Sequence, residues 1–152
     1  MLDAIRRFFE SRLTAAAPDP EHRLQLATAA LLLEVARADF DTHHVELAAV
    51  ERAIGRTFRL SEAEVQELLR LAEDEVREAT SDYAFTSLVN SGFDAADKIR
   101  LVELLWEVAY ADGELDKHEE HLIRRIADLI YVPHREFIAA KLRVAERQGR
   151  GT

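Results

Sequence analysis

The sequence predicts an all-α protein: a single compact domain of seven to eight helices with an internal helix–acidic turn–helix duplication. Three observations carry this. Apolar residues recur at helical spacing along almost the whole chain, without strand-like alternation. Five glycines and three prolines are few for 152 residues. Finally, Leu31–Asp39 returns, largely unchanged, as Leu104–Asp112. The length suits one domain with a buried core.

In the first segment Leu2, Ile5, Phe8, Phe9 and Leu13 share a face opposite Arg6, Arg7 and Glu10. This predicts an amphipathic helix over residues 1–17, expected to dock on the rest of the domain. Partner binding or attachment to a membrane surface is its less favoured use. Charges at Asp3, Arg6, Arg7, Glu10 and Arg12 argue against a signal peptide. The main domain is expected over 18–148, with repeat halves at about 24–79 and 94–146 and a frayed tail at 149–152.

Asp19-Pro20 marks a helix start, with Asp as N-cap and Pro at the first helical position. Leu24, Ala27, Leu31, Val35 and Ala38 carry this first core helix to about Asp39. Leu47, Ala49, Val50, Ala53 and Ile54 mark the next helix, with Gly55 as its expected stop. Ser61 and Glu64 form a capping box. The helix they open carries Val65, Leu68, Leu69, Ala72 and Val76 inward and Glu62, Glu67, Glu73, Asp74, Glu75 and Glu78 outward. Tyr83, Phe85, Leu88 and Val89 predict a short helix before Asn90-Ser91-Gly92. Asp94 and Asp97 then cap the second core helix, built on Ile99, Val102, Leu105, Trp106, Val108, Ala109 and Ala111. Helices from Asp116 through Ile130 and from Pro133 through Ala145 complete the series.

Composition narrows the function. Without cysteine there are no disulfides, thiolate metal sites or cysteine nucleophiles. The uncharged stretches, Leu24–Leu33 among them, are far short of a membrane span, so the expected location is the cytoplasm. The net charge is -9, and residues 39–120 hold 21 Asp and Glu against 8 Lys and Arg. Such a body disfavours nucleic acid, which needs a basic face, and suits cations or a basic protein partner.

At an offset of 73, Leu31–Phe58 aligns on Leu104–Tyr131 without a gap, and nine of 28 pairs are identical. Glu34/Glu107, Asp39/Asp112 and Glu46/Glu119 are among them, which two Ala/Leu-rich helices would not readily share by chance. Asp39 and Asp112 end their helices, and Glu46 and Glu119 fall in the first turn of the next. A seven-residue hairpin can turn each pair face to face, and a twofold between hairpins would gather four carboxylates. Asp41, Glu114 and Asp116 add oxygens. Such a set suits Ca²⁺, Mg²⁺ or Mn²⁺, and His43, His44 or His118 could shift the choice to Zn²⁺. The same acids also fit helix capping and the helix dipole, Asp116 with Glu119 above all. Glu34 and Glu107 are expected to form structural ion pairs, with Arg52 and Arg125 as partners.

The turn is no EF-hand: with Asp112 first, Gly113 is second instead of sixth, and Ile123 stands where a bidentate Glu is needed. His118 and His121 are three apart, whereas the zinc-protease helix motif needs four. No Glu-x-x-His, phosphate loop or Gly-x-Ser-x-Gly is present.

The run Ala109–Ile123, with Tyr83-Ala-Phe-Thr upstream and Ile126-Ala-Asp-Leu and Phe137-Ile-Ala-Ala-Lys-Leu downstream, resembles the TerB-like (tellurite resistance protein B-like) family over about Leu24–Arg143. The resemblance implies an all-α duplicated fold, a link to tellurite resistance and stress, acidic metal ligands and no enzymatic activity. The first half departs from the pattern, with Phe40 in place of Gly and Thr42-His43-His44 in place of acids. The expected function is therefore a non-enzymatic helical domain binding a divalent cation or a protein partner. A purely structural or interaction module comes second, and a metal-dependent hydrolase third.

Overall fold

A computed structural model describes residues 20–37, 43–79, 83–111, 115 and 117–148. Seven α-helices occupy them: α1 (Pro20–Arg37), α2 (His43–Phe58), α3 (Glu62–Glu78), α4 (Tyr83–Gly92), α5 (Ala95–Ala109), α6 (Lys117–Leu129) and α7 (His134–Arg147). The described residues contain no strand, and the fold is all-α as the periodicity predicts. The N-terminal helix expected over 1–17 and the tail at 149–152 lie outside them.

The core is organised on α1. Every residue from Gln25 to Leu33 is buried, as are Val35 and Ala36. A helix that is apolar all round has to be enclosed by other helices, and α1 packs against α2, α3, α4, α5 and α6. The second core helix, α5, buries Leu101, Val102, Leu104, Leu105, Trp106, Val108 and Ala109 and packs on α1, α2, α6 and α7.

These contacts come in matching sets. α2 lies against its own core helix α1 and against α5; α6 lies against its own core helix α5 and against α1. The next helix in each half, α3 or α7, returns to the core helix of that half. α4 stands outside this scheme, wedged between α1 and α6. Its last residue, Gly92, lies so close to α1 that an added Cβ would stand 2.7 Å from a Leu24 methyl.

Local chemistry fixes the helix ends. Ser61 Oγ accepts from the Glu64 amide at 3.2 Å, and Glu64 accepts from the Ser61 amide at 2.9 Å. Asp94 and Asp97 make the same reciprocal pair at the start of α5. Helix α2 does not stop at Gly55 but runs on to Phe58, where Arg59 turns left-handed at φ 55° and the Leu60 amide donates to the Gly55 carbonyl. Helix α6 ends in the same way, with Tyr131 at φ 61° and the Val132 amide bonded to the Ala127 carbonyl. Both are six-to-one closures of the kind glycine usually makes. The Gly55 position faces α3 instead, where a Cβ would just touch Val65.

Trp106 joins α5 to α7. It is wholly buried, its ring lies 5.2 Å from that of Phe137, and the Lys141 ammonium sits 5.4 Å over it. Lys141 also reaches Glu120 of α6 at 2.8 Å.

Left-handed backbone costs a side-chain-bearing residue about 1–2 kcal/mol. Arg59→Gly should therefore raise the free energy of unfolding by roughly 0.5–1 kcal/mol in urea titration, once the greater entropy of the unfolded glycine is offset. A loss there would contradict the turn. Leu31→Ala should cost about 2–5 kcal/mol, and Leu142→Ala, on the surface, less than about 0.5.

Candidate functional site

A helix start leaves backbone amides without partners, so acids gather there for reasons unrelated to ligands. Four of the first-turn acids among the described residues make a direct comparison: Glu46, Glu64, Asp97 and Glu119. Glu64 in α3 and Asp97 in α5 cap their helices in reciprocal boxes, and both are exposed. Glu46 and Glu119, in the first turns of α2 and α6 as expected, are completely buried. An ionised carboxylate withdrawn from water is costly unless charge or hydrogen bonds compensate it. Capping alone does not demand that withdrawal, as Glu64 and Asp97 demonstrate.

Asp39, Asp41, Asp112, Glu114 and Asp116 lie outside the described residues, as do the side chains of His43 and His44. The described residues thus supply one buried carboxylate per hairpin, and α2 and α6 both pack against α1 and α5. Among the described residues no group of three or more His, Asp or Glu converges as a metal cage. His118 and His121 are exposed on the outer side of α6, beside a shallow recess of about 470 Å³ shared with Arg124, Arg125 and Asp128.

Two expectations need correction. Glu75 is not on the solvent side of α3 but fully buried, because it continues the Val65, Leu68, Ala72 stripe by a three-residue step. The run of acids around it hides that register. Glu107 takes other partners than the expected Arg52 or Arg125. Its two oxygens hold Arg56 at 2.8 Å and Arg147 at 3.1 Å. One turn beyond Arg52 is where α2 brings a guanidinium within reach of α5, and α7 arrives from the other side.

Beside it, Glu103 meets Arg143 at 2.9 Å, Arg100 at 3.3 Å and Arg147 at 3.4 Å. Two nearly buried carboxylates on one face of α5 thus hold four guanidiniums from α2, α5 and α7. Only the fold reveals which acids the arginines of α7 meet.

A sequence profile for tellurite resistance protein TerB matches residues 25–142, most of the chain. The chain belongs to the TerB family. The all-α architecture of this TerB-family protein agrees with that assignment, and the match takes in all of α2 to α6, with Glu46 and Glu119. No curated protein and no solved structure matches the chain. No described helix is long and apolar enough to cross a membrane.

Glu103 has only 12% of its side chain exposed and anchors three arginines. Its replacement by Ala should lower stability by about 1–3 kcal/mol in chemical denaturation. Glu73→Ala, which loses only the exposed Arg77 pair, should stay within about 0.5 kcal/mol. Equal losses would show that burial does not set the strength of these pairs.

Proposed function

We propose that this TerB-family domain is a non-enzymatic module that binds a divalent cation at the acidic turn between α5 and α6, in a stress context of the tellurite-resistance kind. The observation that carries this is the complete burial of Glu119 and its counterpart Glu46, against the exposure of the first-turn acids Glu64 and Asp97 that form capping boxes. Asp112, Glu114 and Asp116 join Glu119 as the proposed oxygen donors. Asp39, Asp41 and Glu46 form the weaker set, since Phe40 and Thr42 interrupt that turn.

An oxygen-rich set favours Ca²⁺, Mg²⁺ or Mn²⁺ over Zn²⁺. The matched packing of α1–α2 and α5–α6, with the recurrence of Glu46 and Glu119, supports treating the two hairpins as copies of one unit. A metal-dependent hydrolase is the third reading, behind the cation-binding module and the structural or interaction module.

The competing proposal is a structural or protein-interaction module whose first-turn acids serve only the helix dipoles. Calorimetric titration with Ca²⁺, Mn²⁺ and Zn²⁺ separates the two. Saturable binding is expected in the native protein, weakened about tenfold or more by Asp112→Asn or Glu119→Gln. Flat isotherms for all three ions, or isotherms that neither substitution changes, would leave the helix-dipole account standing alone.

A further inference from the structure

A recess of about 310 Å³ opens where α2, α5 and the end of α7 meet. On α2, Arg52 and Arg56 stand one turn apart, with Ala49 and Ala53 leaving the space between the helices open. Glu107 comes from α5 and Arg147 from the last turn of α7. We propose that this recess binds a small molecule through a phosphate or phosphate-ester group carrying two or more negative charges.

Charge is the first argument. Three guanidiniums and one carboxylate line the recess, with Glu103 as a second acid partner of Arg147, in a chain whose net charge is -9. Arg52 is exposed and pairs with no carboxylate among the described residues. An acidic protein that collects arginines around a concavity creates a local field opposite to its own, and that field draws in anions.

Preorganisation is the second. Glu107 uses one oxygen for Arg56 and the other for Arg147, so two long side chains are held in place on either side of the recess before any ligand arrives. Both keep about half their surface in solvent, 58% for Arg56 and 48% for Arg147, and so retain N–H groups for a further acceptor. Guanidinium forks match the paired oxygens of phosphate, and a dianion engages several at once where a monocarboxylate satisfies one.

Size is the third. The volume is at the lower end of small-molecule sites, enough for a phosphate with a short organic group. A nucleic-acid strand is disfavoured by the acidic surface around it. The site uses none of the carboxylates of the proposed cation turn, and the two proposals stand or fall separately.

The full chain is titrated at low ionic strength with inorganic phosphate, pyrophosphate and acetate, followed by calorimetry and by amide chemical-shift mapping. Phosphate and pyrophosphate should saturate, pyrophosphate the tighter, with shifts on α2 and the end of α7, while acetate stays silent. Arg52→Gln, at an exposed position with no ion partner among the described residues, should weaken binding by about tenfold and leave the thermal midpoint unchanged. Arg56→Gln should weaken it at least as much, and Arg77→Gln, on α3, should have no effect. The proposal is overturned if neither phosphate binds at millimolar concentration. It is equally overturned if acetate binds as well as phosphate, or if Arg52→Gln and Arg56→Gln bind like the native protein.

Discussion

Enclosing a helix on every side removes any place on it for a solvated charge, and α1 meets that condition from Gln25 through Leu33. The rest of the architecture follows from it. Five helices are needed to cover α1, and each must bring an apolar stripe to do so. α3 makes the most extensive of these contacts, while α5, with the wholly buried Trp106, founds the second half of the core. Having surrendered one face to α1 and its neighbours, α5 keeps Glu103 and Glu107 on the remaining one. There the arginines of α2 and α7 gather, so the ion network is a consequence of which face the core left over.

The same constraint makes the buried glutamates informative. Helices α2 and α6 pack against both α1 and α5, which draws their first turns into low-dielectric surroundings. Residues there would ordinarily be apolar, yet Glu46 and Glu119 stand at corresponding places in both. Both are completely buried, whereas Glu64 and Asp97 cap their helices at exposed positions. The cation proposed for the adjoining turn would place an opposite charge beside Glu119. The arginine recess presents the complementary case, positive groups left partly hydrated and therefore available.

Much of the fold was legible because the signals were local. Ser61 with Glu64 and Asp94 with Asp97 are capping boxes in sequence and in structure, since the partners lie three residues apart. The two core helices were legible from unbroken apolar runs. What escaped depends on distant partners or on side chains acting against type. Gly55 reads as a helix stop, but the stop is made by Arg59 in a conformation glycine usually takes. Glu75 reads as one of many surface acids, and only the stripe through Leu68 and Ala72 marks it as internal. Arg56 and Arg147 meet at Glu107 because three helices converge there, and no spacing along the chain encodes that meeting. For the candidate site, the sequence supplied Glu46 and Glu119, and their burial came from the fold.

Elemental analysis of the protein purified without chelator tests the central claim most directly. The cation account predicts close to one equivalent of a divalent metal, largely lost from a folded Glu119→Gln variant. Metal-free protein that takes up none on addition, with Glu46, Glu119 and the helical fold intact, would contradict it.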